Sequence, residues 1–387
     1  MAALMVFIVF LIAIAVSVPI GVAMCLGTLF PQYFMNAGAP VDQLINFTLS
    51  GADSTPILAV PLFILGGVIM AEGGISRRLF NFFSYFVGNI PGGVPCAAIL
   101  TCLFYGAISG SGPATTAAVG SMCIPFMVEM GYEKRWSAGL IAVAGGLGVI
   151  IPPSIPFVLY SLATGVSTGD LFLAGVIPGI LIGLFMMAYA VIFCITKGED
   201  KQRIRAKMSE LRGNGFLKLF ADSFLKDLIP FLASSVKTYG GLAFVLAFAT
   251  AFGRVLSLTR ATKVIEDFIV GNFTTSWSVL SVLVILFLIL GMVMDTGPAI
   301  VILAPILLPA VQALGVDSVH FGVILVCCLS IGLATPPFGL DLFVAGNLAE
   351  EPPMAVAKRA VPFIISFLLA LALITYVEPV SLALLGR

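Results

Sequence analysis

Long stretches without any charge dominate this sequence of 387 residues. Residues 1–41, 79–128 and 136–169 contain no Asp, Glu, Lys or Arg. Over the whole chain 60% of the residues are hydrophobic and 10% are charged, whereas a soluble domain has about 25% charged residues. There are too few polar side chains to cover a water-soluble fold, and the net charge of +0 offers no basic surface for nucleic acid. The chain is therefore predicted to be an all-α, multi-pass protein of the lipid bilayer.

One basic stretch divides the chain into two halves. Eight Lys and Arg residues lie between Lys197 and Lys226, and the positive-inside rule places such a segment in the cytoplasm. The predicted units are a first repeat at 1–196, a connector at 197–236 and a second repeat at 237–387.

Apolar segments outside the special motifs predict simple spans. Residues Leu4 to about Phe30 are long enough for one helix across the roughly 30 Å hydrocarbon core. Short spans are predicted at 56–70 and near 239–253, and an interfacial helix at 75–90.

Glycine and proline motifs recur in the same order in both halves. The repeated motifs are Gly-Pro-Ala at 112–114 and 297–299, Pro-Pro at 152–153 and 336–337, and a later proline at 178 and 362. The three offsets are 185, 184 and 184 residues, so they agree to one residue. This register predicts an internal duplication, which is usual in secondary transporters and often has inverted topology.

The positions of the charges predict opposite orientations for the two halves. If the connector is cytoplasmic, the helix at 171–196 starts outside and the helix at 137–163 starts inside. The hairpin before that helix, at about 92–128, must therefore leave from the cytoplasm and return to it. The second hairpin would then enter from outside. The basic residues between 254 and 263 also fall outside, against the positive-inside rule. The predicted elements are re-entrant hairpins at about 92–128 and 278–312, and broken helices at about 137–163 and 320–349.

Four helix breaks are expected from these motifs, two at hairpin tips and two at double prolines. Non-helical backbone at membrane depth must be buried in protein or line a cavity. Its free carbonyls are hard oxygen ligands suited to Na⁺, and half-helix N-termini suit an anionic substrate. No Lys or Arg lies in the four breaks. Their hydroxyl residues are Ser109, Ser111, Thr115, Ser154, Thr296 and Thr335.

Two carboxylates, Asp295 and Asp341, also lie inside the breaks. A charge at membrane depth costs several kcal/mol and indicates a function by default. Each carboxylate either helps to hold a cation, is protonated and hydrogen-bonded, or caps a broken helix.

A family resemblance rests on six stretches, taken in chain order. They are PLFILGGVIMAEGGISRRLF (61–80), GAISGSGPATTAAVGSMCIPFM (106–127), GYEKRWSAGLIAVAGGLGVIIPPSIPFVLYS (131–161), LFLAGVIPG (171–179), GMVMDTGPAIVILAPILLP (291–309) and GLATPPFGLDLFVAGNLA (332–349). In these stretches the sequence resembles the large membrane subunit of TRAP (tripartite ATP-independent periplasmic) transporters.

The resemblance implies a Na⁺-coupled, elevator-type importer in the cytoplasmic (inner) membrane of a bacterium or archaeon. It implies a small four-helix membrane subunit and a periplasmic substrate-binding protein as partners, with organic acids such as C4-dicarboxylates or sialic acid as substrates. Carried over by motif, the substrate site comprises Ser109, Gly110, Ser111, Gly112, Pro113, Thr115, Pro153, Ser154, Thr296, Gly297 and Pro337. The Na⁺ site comprises Ser109, Gly112, Ile151, Pro152, Asp295, Thr296, Gly332, Thr335, Gly339 and Asp341.

The sequence departs from the family in its middle. Members usually carry further hydrophobic segments after the first half, including a Pro-Thr-Glu-Ala-Ala motif. Here only residues 212–236 stand in that place, and the motif does not occur in the sequence. The departure concerns the part that would form the static scaffold of an elevator-type transporter, and it leaves both hairpins intact.

Three other functions remain as alternatives. A single-chain dicarboxylate or citrate carrier would work without a binding protein. A passive channel would conduct without Na⁺ dependence. An intramembrane enzyme would need a nucleophile–base or metal pair, and the sequence has one histidine, His320, and no suitable cysteine cluster; the chain is predicted not to be an enzyme.

Overall fold

The described part of the chain is helical throughout. The computed structural model describes residues 2–16, 18–35, 39–52, 61, 65, 74–213, 248, 251–256, 258–259, 261–273 and 275–386, and every regular element in these ranges is a helix. The predicted all-α fold is confirmed.

The first half runs from α1 to α10. Its helices are α1 (Ala2–Ala15), α2 (Ile20–Met35), α3 (Val41–Ala52), α4 (Ile75–Val87), α5 (Gly93–Ser109), α6 (Gly112–Glu129), α7 (Lys134–Gly145), a 3₁₀ turn (Gly146–Val149), α8 (Ile155–Thr164), α9 (Thr168–Lys197) and α10 (Lys201–Gly213). Helices α5 and α6 form the first hairpin, and α7 with α8 forms the first broken helix.

The second half repeats this order. Its described helices are α11 (Ala261–Asn272), α12 (Ser276–Gly291), α13 (Thr296–Ala313), α14 (Ser318–Leu333), α15 (Leu340–Leu348), α16 (Pro353–Tyr376), α17 (Pro379–Leu382) and a 3₁₀ turn (Ala383–Leu385). Helices α12 and α13 form the second hairpin, and α14 with α15 forms the second broken helix. Helix α16 corresponds to α9, since both follow a broken helix.

The N-terminal segment corrects one prediction. In place of a single helix from Leu4 to Phe30, the structure has α1 and α2, which pack against each other. Pro19 stands just before α2, and a proline removes an N–H donor and clashes with the preceding turn, so it ends a helix. The 14 residues of α1 extend about 21 Å at 1.5 Å per residue, less than the hydrocarbon core.

Some predicted segments lie outside the described residues. The spans at 56–70 and near 239–253 fall almost wholly there, as does the connector after Gly213. The helix at 75–87 is described and buries Ser76, Phe80 and Ser84; its position along the interface stays a prediction.

Ion pairs and hydrogen bonds show that the two broken helices run antiparallel. At the start of α7, Arg135 pairs with Glu351 just after α15, with 2.8 Å between Nε and Oε2. At the far end, the Tyr160 hydroxyl of α8 donates to the Ser318 carbonyl at the start of α14, at 2.7 Å. Each broken helix therefore begins where the other ends, as inverted repeats require.

Equivalent elements also exchange contacts between the halves. The hairpin arm α6 packs on α15 while the arm α13 packs on α8, and α16 packs on α7 while α9 packs on α14. At the centre the Ser330 hydroxyl donates to the Gly146 carbonyl at 2.7 Å, and these residues are 184 apart, which is the repeat offset. Reciprocal pairing of this kind is what a two-fold axis produces. The predicted inverted repeat is confirmed.

Three of the described helices are long and apolar enough to cross a membrane. They are Thr168–Lys197, Thr296–Ala313 and Pro353–Tyr376. In the longest of them, Asp170 lies in the first turn and Lys197 in the last, so both charges complement the helix dipole.

The antiparallel broken helices generate a topology prediction. Glu350, beside the start of α7, and Gln312, near the start of α14, have exposed positions at opposite ends of the molecule. We expect Glu350→Cys and Gln312→Cys, each in a background without the seven native cysteines, to react with a membrane-impermeant maleimide from opposite sides of the membrane. Labelling of both from one side would contradict the inverted orientation.

Candidate functional site

The first hairpin tip is a buried network of hydroxyls. Gly110 has φ of +61°, a conformation that a residue with a Cβ rarely adopts, and it turns the chain between α5 and α6. The hydroxyls of Ser109 and Thr115 are 2.7 Å apart, and the Thr115 hydroxyl lies 2.8 Å from the Ser111 carbonyl oxygen. Ser109 and Thr115 are buried, while Ser111 is half-buried at the start of α6.

The first double-proline break packs directly against this tip. A Cβ added to Gly110 would lie 3.2 Å from the Pro153 carbonyl oxygen. The Pro152–Pro153 peptide bond is cis. The Ser154 hydroxyl donates to the Val149 carbonyl and accepts from the Phe157 N–H at 3.3 Å, so it caps α8. Ser154 therefore serves the local fold in this structure.

The second hairpin tip is capped by Asp295. Its Oδ1 accepts from the Thr296 N–H at 2.7 Å and lies 3.3 Å from the Thr296 hydroxyl. Asp295 is exposed and Thr296 is buried. Of the three roles open to Asp295 from the sequence, capping of a broken helix is the one that the hydrogen bonds display.

The second double-proline break is held against the second hairpin by two glycines. A Cβ added to Gly332 would lie 2.5 Å from the Cα of Gly291, so the two backbones approach too closely for any side chain. The Thr335 hydroxyl donates to the Ile331 carbonyl at 2.7 Å. That bond uses the hydroxyl proton and leaves oxygen lone pairs for another donor or a cation. The Pro336–Pro337 peptide bond is also cis.

Asp341, in the first turn of α15, is the most unusual residue of the site. It is 0% exposed, and neither carboxylate oxygen has a hydrogen-bond partner among the residues that the structure describes. A Cβ added to Gly112 would lie 3.2 Å from its Oδ2. The carboxylate of the second half therefore lies against the first residue of α6, at the hairpin tip of the first half.

The predicted site residues differ in their exposure to solvent. The buried ones are Ser109, Gly110, Gly112, Thr115, Ser154, Thr296, Gly297, Gly332, Gly339 and Asp341; the half-buried ones are Ser111, Pro113, Ile151, Pro152, Pro153 and Thr335; Asp295 and Pro337 are exposed. The contacts bring the first tip against both breaks and the second hairpin against the second break. Within the described residues no group of three or more His, Cys, Asp or Glu side chains is placed to hold a metal ion.

Two residues near the axis were missed by the sequence reasoning. The Thr116 hydroxyl is buried without a hydrogen-bond partner in the described part of the chain, and it lies against Gly145. Ser330 bonds across to Gly146. The sequence did contain a signal for this contact, because Gly146 and Ser330 are equivalent positions of the two repeats, 184 residues apart.

Comparison with solved structures gives the class of fold. The chain resembles the crystal structure of the YdaH transporter of Alcanivorax borkumensis with a TM-score of 0.57, covering 87% of this chain and 88% of that one at 13% identity. At this identity the likeness concerns the fold alone, which in this chain is an all-helical fold with paired hairpins and broken helices.

Sequence comparison then gives the family. The model for the tripartite ATP-independent periplasmic transporter DctM component matches residues 7–215 and 216–380. The chain belongs to this family, and it is therefore a transporter permease subunit and not an enzyme.

Three relatives illustrate the membership. The C4-dicarboxylate TRAP transporter large permease protein DctM of Pseudomonas aeruginosa is 36% identical over 85% of this chain and 86% of its own length. The ectoine TRAP transporter large permease protein TeaC of Halomonas elongata is 30% identical over 97% and 96%. The isethionate TRAP transporter permease protein DctMQ of Oleidesulfovibrio alaskensis is 37% identical over 97% of this chain, which spans 65% of that relative.

The comparisons also bear on the length of the chain. The alignment with DctM of Rhodobacter capsulatus runs over 436 residues, more than the 387 of this chain, so that relative has residues without a counterpart here. The two parts of the family match meet at residues 215 and 216, in the predicted connector.

The glycine contact between the second hairpin and the second break generates a stability prediction. Gly332→Ala places a methyl group against the backbone of Gly291, which cannot move aside as a side chain would, and we expect a loss of about 2 kcal/mol. The measurement is the unfolding of the detergent-solubilised protein. Gly271→Ala is the matched control, because a Cβ there meets nothing within 4 Å. Equal stability of the two variants would contradict the close packing.

Proposed function

We propose that this chain is the membrane-embedded transport subunit of a Na⁺-coupled, binding-protein-dependent importer of organic acids in the inner membrane. It works by an elevator movement of the hairpins and broken helices. The observation that carries the proposal is the buried carboxylate of Asp341, without a hydrogen-bond partner in the described residues and set against the first hairpin tip.

A bound cation accounts for this carboxylate. A buried ionised group without a partner is strongly unfavourable, and a cation beside it removes most of that penalty. The neighbouring ligands available are oxygens of hydroxyls and free carbonyls, which suit Na⁺ better than a transition metal. Asp341, Thr335 and the backbone of the second break would hold the ion, which is a co-transported substrate.

An organic acid fits the remaining features of the site. No Lys or Arg lies in the four breaks, so an anion must be held by hydroxyls and by the helix ends that begin at Gly112 and Thr296. The relatives are named for transport of C4-dicarboxylate, isethionate and ectoine, and we extend only the class of organic acids to this chain. A small four-helix membrane subunit and a periplasmic binding protein complete the proposed system.

The close contacts support a moving unit made of both hairpins and both broken helices. Gly110 lies against Pro153, Gly112 against Asp341, and Gly291 against Gly332. Because these contacts link both hairpins to the breaks at backbone distance, the elements are expected to move as one rigid body and carry ion and substrate together.

Uptake into proteoliposomes tests the function directly. With partner subunit and binding protein present, we expect a radiolabelled C4-dicarboxylate or sialic acid to accumulate only with an inward Na⁺ gradient, and K⁺ media to give background rates. Asp341→Asn should abolish the Na⁺ stimulation, since it removes the charge that faces the cation.

The controls separate this proposal from its alternatives. Asp42→Asn also changes an aspartate in the first turn of a helix, at an exposed position, and should transport normally. Full uptake without the binding protein would favour a single-chain dicarboxylate or citrate carrier. Equal rates in Na⁺ and K⁺ would refute the ion coupling.

Thr335 tests the second break as an ion ligand. Thr335→Val keeps the side-chain shape and removes one oxygen, so we expect the Na⁺ concentration for half-maximal transport to rise roughly tenfold for each ~1.4 kcal/mol lost. Thr196→Val is the matched control, because its hydroxyl makes the same 2.7 Å bond to the carbonyl four residues earlier. Unchanged Na⁺ dependence in Thr335→Val would make Thr335 a packing residue.

A further inference from the structure

A cavity of about 410 Å³ lies between the start of α12 and the end of α16, at the opposite end of α12 from Gly291. Its volume is in the range of small-molecule sites, about 300–1,000 Å³. It adjoins the start of α14, because His320 Nε2 lies 3.3 Å from the Thr375 carbonyl oxygen. Helix α9 begins at this same end and runs for 30 residues to the connector. The cavity and the connector therefore lie at opposite ends of the molecule.

Two aromatic rings form one wall of the cavity. The ring centroids of Trp277 and Tyr376 are 5.7 Å apart, and Trp277 is 64% exposed. The Ser281 hydroxyl donates to the Trp277 carbonyl and lies 2.6 Å from the Tyr376 hydroxyl. These bonds hold the tyrosine in place beside α12. Aromatic residues at the ends of apolar helices are typical of the membrane–water interface.

The lining is complementary to a zwitterion. Glu378 is the charged residue of the wall, is exposed, and makes no ion pair within the described ranges. A carboxylate together with aromatic faces attracts an ammonium group. The hydroxyl of Ser276 and the N–H groups of Ser276 and Trp277 are donors suited to a phosphate, whereas the Ser278 N–H already donates to the Thr275 hydroxyl at 3.4 Å.

Apolar rows continue from the cavity along both helices. On α12, Ile285 and Ile289 follow Trp277 in the direction of Gly291 and are 59% and 54% exposed. On α16, Leu373 and Leu369 precede Tyr376 and are 43% and 56% exposed. A lipid has this combination of a polar headgroup and two apolar chains, whereas a free metabolite lacks the chains.

We propose that the cavity binds the headgroup of a phosphatidylethanolamine molecule. Its primary ammonium lies between Glu378 and the rings of Trp277 and Tyr376, its phosphate faces Ser276, and its acyl chains follow the apolar rows of α12 and α16. The site is independent of the ion and substrate sites, so its test does not depend on transport.

Native mass spectrometry of the delipidated full chain tests the site. The probes are phosphatidylethanolamine and phosphatidylglycerol with identical acyl chains, offered in equal amounts. We expect the wild type to retain phosphatidylethanolamine with about fivefold preference, a size set by one cation–π contact and one charged hydrogen bond. Trp277→Leu and Glu378→Gln should each lower this preference to about twofold, because each removes one of the two contacts.

Matched control variants and a soluble competitor decide whether the ligand is an intact lipid or a free headgroup. Tyr33→Leu and Asp267→Asn change an exposed aromatic and an exposed carboxylate elsewhere and should keep the preference. O-phosphoethanolamine at the lipid concentration should displace little lipid; full displacement would show that the headgroup alone is bound and overturn the lipid assignment. Equal retention of both lipids by the wild type would also overturn it. So would a Trp277→Leu variant that keeps its lipid but no longer co-purifies with the partner subunit, since the cavity would then be a protein contact.

Discussion

Backbone groups inside a bilayer have no water to bond with, and the special features of this chain follow from that constraint. A helix satisfies its own N–H and C=O groups, so any interruption must be enclosed by other protein elements. The breaks after Val149 and after Leu333 are packed against other elements in this way, the first against the hairpin tip at Gly110 and the second against Gly112 and Gly291. The hairpins therefore help to bury the backbone of the broken helices, and each repeat supplies one hairpin and one broken helix.

The two-fold relation makes this enclosure reciprocal. The second arm of each hairpin packs on the broken helix of the other half, so each half helps to bury the broken helix of the other. This interdependence explains why Asp341 of one repeat lies against Gly112 of the other. It also brings elements of both halves towards one region, which is the region of the proposed ion and substrate sites.

Asp341 and Asp295 show how similar sequence signals acquire different roles. Both are carboxylates beside a helix break, but Asp295 is exposed and bonds the Thr296 N–H, whereas Asp341 is fully buried without such a bond in the described residues. Capping satisfies the first carboxylate within the protein. The second has no such partner among the described residues, and for this reason we propose a cation beside Asp341.

The sequence alone was enough for the membrane class, the duplication and the location of the breaks, because uncharged length and proline chemistry act locally. It could not reveal that Pro19 separates two packed helices, since a single apolar run of that length is also compatible with one kinked helix. It also left the roles of Ser154, Asp295 and Asp341 open. The structure assigned the cap of α8 to Ser154, whose partners Val149 and Phe157 are close in the sequence. Only the tertiary structure placed Asp341 at the other repeat's tip, because Gly112 lies more than two hundred residues earlier in the chain. The Gly146–Ser330 contact on the axis arises in the same way, from packing between halves that no local pattern encodes.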